Sequence, residues 1–180
     1  LATVERPADT PSGSPSPLPA APPPLLVVDG ANVVGSVPDG WWRDRRGAAE
    51  RLRDALVDVA ADGLPGLPGP LTVVLVVEGA ARGVEPVPGV RVVSAPGSGD
   101  DRIVELVAEE SASGAGASSD ASPGPGLGSE TGPGSGSAPG RRLLVVTADR
   151  ELRERVAALG AELLGPRTVR HAPGRTERPR

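Results

Sequence analysis

Cysteine, methionine, phenylalanine, tyrosine and lysine are all missing from this chain. Without cysteine there can be no disulfide and no thiolate metal site, a pattern that fits a reducing compartment. With Trp41 and Trp42 as the only aromatics, the core must be filled by Val, Leu, Ile and Ala, which pack well when their volumes match. All 19 basic residues are arginine, a bias that goes with the Ala, Gly and Pro richness of GC-rich coding, so arginine abundance alone is not read as function. No apolar run approaches the ~20 residues needed to cross a bilayer. The first residues lack the basic patch and apolar stretch of a signal peptide, so a cytoplasmic protein with no membrane partner is expected. His171, the one histidine, has no Ser or Cys partner nearby in the sequence, which leaves a histidine-based nucleophilic mechanism unsupported. No G-x-G-x-x-G follows a strand pattern and no G-x-x-x-x-G-K-[ST] occurs, so the dinucleotide and P-loop readings have no support either.

What the chain does have is a set of apolar runs that finish in acid. LLVVDGANVVG, residues 25–35, reaches Asp29; LTVVLVVE ends at Glu78; VRVVSAPGSGDD leads to Asp100 and Asp101; RLLVVTAD ends at Asp149. Apolar, β-branched runs of this length suit parallel strands buried on both faces, and open α/β sheets take their ligands at the C-terminal edge of such strands.

The segments between the runs complete an α/β pattern. Residues 1–24, rich in Pro, Ser and Ala, cannot bury enough apolar surface to offset the entropy of ordering and are expected to be a disordered tail. Ala48, Leu52, Ala55, Leu56 and Val59 recur at helical spacing, with Asp44 as N-cap and Gly63 as stop. Strands are expected at Leu71 to Val77 and Val90 to Ser94, joined by a linker with room for a turn of helix. Ser98-Gly-Asp-Asp has the form of a capping box for a helix running to about Glu110. Residues 111–140 offer almost nothing to a core and read as a disordered insert. A strand at Leu143 to Val146, a helix from about Asp149 to Leu159 and a short strand from Ala161 to Leu164 follow. The expected fold is therefore a mostly parallel sheet flanked by helices, with one core, spanning residues 25–166 around the insert, and a basic tail at 167–180.

Each acid has a structural and a functional reading. Asp29 either caps a turn or holds a ligand, with the Asn32 amide one turn later placed to orient it. Asp100 and Asp101 open a helix, where the macrodipole favours acids, and Asp101 sits at the capping-box position. Asp149 is either an N-cap or a ligand. Glu78 is either a ligand or only the polar residue that a strand end requires. Trp41 and Trp42 either anchor a loop or, beside Arg43, Arg45 and Arg46, offer single-stranded RNA a stacking surface. Charge is uneven: residues 25–110 carry 14 acids against 8 arginines, net −6, and residues 141–180 carry 5 against 10, net +5. A carboxylate cluster would repel a phosphate backbone unless divalent cations lay between them.

Taken together, VVDGANVVG, GSGDDRIVELV and VVTADRELRERV resemble the NYN domain, a PIN-like nuclease fold, and most closely its bacterial YacP-type branch. The resemblance covers about residues 25–110 and 141–166. It implies a Rossmann-like fold and a metal-dependent endoribonuclease that hydrolyses RNA phosphodiester bonds with Mg²⁺ or Mn²⁺ on strand-end acids. Asp29, Asn32, Asp100 and Asp149 match the catalytic motif positions, Asp29, Asp100 and Asp149 being metal ligands with Glu78 and Asp101 as outer members. Trp41, Trp42, Arg43, Arg141, Arg142, Arg167 and Arg170 are the expected RNA contacts, and the implied partner is RNA, ribosome-associated RNA included. A non-catalytic RNA-binding module of the same fold is the alternative. A phosphatase of the haloacid-dehalogenase type would need a second Asp two residues after Asp29, where this chain has Ala31. Two segments depart from the family pattern: the insert, and RTVRHAPGRTERPR, which stands where an apolar closing helix is expected.

Overall fold

The computed structural model describes residues 21–115 and 141–170. Most of the expected tail 1–24, the insert 111–140 and the basic tail 167–180 therefore lies outside the described residues. Strand β1 (Leu25–Asp29) runs directly into the short helix α1 (Gly30–Gly35), and a 3₁₀ turn at Trp41–Arg43 leads to α2 (Arg45–Asp62). Asp44 caps α2 by accepting from the Gly47 N–H at 2.8 Å, and Gly63 ends it with a positive φ of 89°. The Gly- and Pro-rich connector then forms a minimal antiparallel hairpin, β2 (Gly63–Leu64) with β3 (Leu67–Pro68), that buries Leu64 and Leu67. Next come β4 (Thr72–Val77), a 3₁₀ turn at Gly79–Ala81, β5 (Val90–Ser94), α3 (Gly99–Ala115), β6 (Leu143–Val146), α4 (Arg150–Ala157), β7 (Glu162–Leu164) and α5 (Pro166–Arg170).

The five main strands form one sheet in the order β5-β4-β1-β6-β7, and every neighbouring pair is parallel. The chain builds outward from β1 through β4 and β5, then crosses to the other side of β1 for β6 and β7. This reversal places a topological switch point between β1 and β6, where open α/β sheets leave a crevice outside the strand ends.

The expectation of one core is corrected by this arrangement, because the sheet divides the apolar interior. On one face Leu26, Val28, Val73, Leu75, Val77, Leu144 and Val146 pack against Val33, Leu56, Val59 and Val169 of α1, α2 and α5. On the other, Leu25, Val27, Val74, Val76, Leu143 and Val145 pack against Ile103, Leu106, Val107, Leu152 and Val156 of α3 and α4. Alternation with period two explains why continuous apolar runs were needed: each strand serves both cores. Two element ends also differ from expectation. α3 continues past Glu110 to Ala115, and Val169, only 2% exposed, anchors a short closing helix where the polar sequence suggested none. Among the described residues no helix is long and apolar enough to cross a membrane.

Candidate active site

Asp29 is the last residue of the central strand and is only 6% exposed, so its position is set by the sheet. One carboxylate oxygen, Oδ1, accepts from the Asn32 backbone N–H at 3.0 Å and thereby caps α1; Oδ2 accepts from Thr147 Oγ1, across the switch point, at 2.9 Å. Thr147 is fully buried, and its Oγ1 also accepts from the Asp149 N–H at 3.1 Å. The ends of β1 and β6 are thus tied together through one hydroxyl. The turn beyond Asp29 is tight: a Cβ on Gly30 would lie 2.6 Å from the carbonyl oxygen of Val76 on β4.

The Asn32 side chain does not orient Asp29, as the sequence had suggested. Its Oδ1 instead accepts from the Ala148 N–H at 2.8 Å and pins the loop between β6 and α4. Asn32 is therefore a positioning residue, its backbone serving Asp29 and its side chain the approach to Asp149. Asp149 caps α4, its Oδ1 accepting from the Leu152 N–H at 2.9 Å. Glu78, just beyond β4, reaches over to the start of α3, where its Oε2 accepts from the Gly99 N–H at 2.5 Å. A Cβ at Gly99 would come within 2.9 Å of that same oxygen, so the glycine makes room for the carboxylate. Glu78 thus serves the helix start at which Ser98 and Asp101 were expected to form a capping box.

Electrostatics show that these acids share one region. Burial, followed by the Asp100 and Glu78 charges, holds the Asp29 carboxyl above its ordinary value, against the opposing pull of the Asn32 and Thr147 hydrogen bonds. Asp100 is also raised, by burial and then by Asp149, Glu78 and Asp101, with Arg155 partly offsetting them. Asp29, Glu78, Asp100 and Asp149 therefore lie within electrostatic reach of one another at the C-terminal edge of the sheet, beside the switch point, although among the described residues no three acids are close enough to hold one ion. Asp101 does not join them: it pairs with Arg155 of α4 at 2.9 Å on the exposed surface.

The expected RNA contacts are scattered. Arg141 donates to Pro23 O and pairs with Glu110 at 3.0 Å, and Arg142 makes a two-pronged pair with Glu162. Both precede β6 and so lie at the N-terminal edge of the parallel sheet, a strand's length from the acids; they are structural pairs at the far end of the molecule. Arg167 and Arg170 border an open cleft with Ser36, Val37 and Ala148, next to the loop that carries Asp149, and Arg170 donates to Ser36 Oγ at 3.3 Å. Trp41 and Trp42 meet edge to face with ring centroids 6.3 Å apart; Trp42 is 53% exposed with the Arg43 guanidinium 6.0 Å from its ring. Arg45, one of the arginines the sequence places beside the tryptophans, lies 5.3 Å from the Trp41 ring.

With this topology and acid placement in view, the comparisons with solved structures are decisive for the fold. It is similar to that of Rae1 (YacP) from Bacillus subtilis. The crystal structure of that protein aligns with a TM-score of 0.53 at 18% identity, over 81% of this chain and 70% of the other. A mutant of the same protein gives 0.53 at 16% identity, over 81% and 72%. The likeness lies in the path of the chain, and it matches the YacP-type architecture that the three motifs resemble. No protein-family model matches the chain, and no curated protein sequence does.

Proposed function

We propose that this protein is a divalent-metal-dependent endoribonuclease whose site is the carboxylate cluster at the β1–β6 switch point. The observation that carries the reading is the mutual repulsion of Asp29, Glu78, Asp100 and Asp149: burial and neighbouring acids raise both Asp29 and Asp100. A fold that gathers acids which Arg155 only partly offsets suits a hard metal ion, and oxygen-only donors suit Mg²⁺ or Mn²⁺. Among the described residues no three acids stand close enough together to enclose an ion.

Asp29 and Asp100 would hold the ion, with Asp149 and Glu78 beside them. The chemistry that such an ion supplies is polarisation of a phosphoryl oxygen and acidification of a water. Thr147 and the Asn32 backbone hold the Asp29 carboxylate in one orientation, while the Asn32 side chain fixes the strand of loop leading to Asp149. Glu78, anchored on the first turn of α3, fixes the distance between β4 and Asp100. Asp100, partly buried at the start of α3, has its charge partly offset by Arg155. RNA as the substrate follows from the family that the motifs resemble. Ribosome-associated RNA remains within that class.

The wide spacing of the acids gives one specific ground for the second reading, a non-catalytic RNA-binding module. Incubating mixed RNAs with the protein in Mg²⁺, Mn²⁺ or EDTA separates the two. Cleavage that needs the metal and disappears in Asp29→Asn supports the enzyme; RNA binding indifferent to EDTA, with no cleavage, supports the module.

A further inference from the structure

A groove of about 360 Å³ runs along α2, between that helix and residues of α1 and α5. Its floor is apolar, Val33, Ala48 and Val169 being buried and Leu52 half-buried, and its rim carries Asp39, Arg51, Asp58 and Arg170. We propose that this groove is the contact face of a symmetric dimer, in which α2 of a second copy of the chain lies antiparallel along it. The proposal is independent of the ribonuclease reading.

The charges on the rim select the occupant. They are two acids and two arginines, so a partner of one charge sign would meet repulsion at half of them. The chain's own continuation fits no better: beyond Arg170 it reads HAPGRTERPR, with three arginines against one glutamate and only Ala and Pro as apolar residues. A second copy matches the pattern, because a two-fold axis sets residue i against j and j against i. Arg51 and Asp58 are seven residues apart, two turns along one helix face and about 10 Å along its axis. With the two-fold passing beside Ala55, midway between them, antiparallel helices bring Arg51 of each copy against Asp58 of the other. Ala55 is exposed and carries only a methyl group, so the two helices can approach to the about 8–10 Å of ordinary helix packing and cover Val34 and Leu52. Within its own chain Arg51 has a 3.8 Å contact to Asp44, with the side chains 65% and 64% exposed, a pair of little worth in water. Since α2 starts at the sheet edge that carries the acids and ends at the other, the antiparallel pairing sets the two acid clusters at opposite ends of the dimer.

Sedimentation velocity of the full chain over a range of concentrations reads the association directly. The wild type should pass from one chain mass to two as concentration rises. Arg51→Asp sets acid against acid at both symmetry-related contacts, and Asp58→Arg sets arginine against arginine. Each should weaken dimerisation roughly a hundredfold, about tenfold for each of the two equal contacts. Both positions are exposed on α2, so the thermal melts of the two variants should stay close to that of the wild-type monomer. Mixing the variants is the decisive arm: the copy with two acids now meets the copy with two arginines, and a mixed dimer should form with near wild-type affinity. Ala55→Glu, also at an exposed position, brings two carboxylates together at the axis and should abolish the dimer while leaving Arg51 and Asp58 in place. A wild type that stays at one chain mass at every concentration, a single variant that dimerises as the wild type does, or folded variants that fail to associate on mixing would each overturn the proposal. So would a dimer that appears only after truncation at Arg170, which would assign the groove to the chain's own C-terminal segment.

Discussion

Asp29 shows how much one buried carboxylate can be asked to do. It ends the central strand, caps α1 and receives the Thr147 hydroxyl, yet burial and its acidic neighbours still hold its proton more tightly than in an unfolded chain. Since the folded-state pKa of Asp29, like that of Asp100, is raised, the associated stability is fully present below the ordinary carboxylate value of 3.8 and is lost as pH rises through the raised values. Thermal melts of the metal-free protein should therefore fall in midpoint across that window, and Asp29→Asn should flatten the slope. Thr147→Val tests the opposite pull. It deletes a hydroxyl bonded to a charged group and should cost about 1.5–3 kcal/mol in urea unfolding at neutral pH. Were the loss negligible, the link between β1 and β6 would be incidental to the fold.

At the scale of elements, the strand ends carry the site and the turns beyond them set its dimensions. Gly30→Ala should destabilise the protein by roughly 1–3 kcal/mol, because the new Cβ would press on the Val76 carbonyl, a backbone atom that cannot swing away. A melt unchanged from wild type would show that the junction is looser than described here. Most elements were legible in the sequence because apolar runs, helical spacing and caps such as Asp44 and Asp149 are local signals. Partners separated by many residues were not. That Asn32 serves Ala148 rather than Asp29, that Glu78 meets Gly99, and that Asp101 turns away to Arg155 all depend on how elements meet. The same holds for Arg141 and Arg142, whose charge suggested RNA but whose place before β6 puts them at the wrong edge of the sheet. Helix α5 was hidden for another reason: only Pro166 and Val169 are buried in it, too little to register as a periodic pattern.

For the molecule as a whole, the proposed metal makes a thermodynamic prediction independent of catalysis. An ion that binds the folded state alone stabilises it by about 2.7 kcal/mol when present at 100 times its dissociation constant. Mg²⁺ or Mn²⁺ should accordingly raise the melting temperature of the wild type and fail to do so in Asp100→Asn. Equal shifts in both would place the ion elsewhere.

Glu110 and Arg141 lie 31 residues apart in sequence, yet they form an ion pair at 3.0 Å, so the chain leaves and rejoins the sheet at nearly one point, on the edge away from the acids. The protein is in this sense already two pieces. The first, ending in α3, brings Asp29, Glu78 and Asp100; the second, beginning at β6, brings Thr147 and Asp149, and its β6 pairs with β1 throughout Leu143 to Val146. Produced as separate polypeptides cut between residues 116 and 140, neither fragment would hold a whole site, and mixing them should restore the sheet and the cluster together. Recovery of a cooperative melt and of RNA cleavage on mixing, with neither in the separate fragments, is the expected result. Under the proposed function, that cleavage would then report whether two fused partners meet.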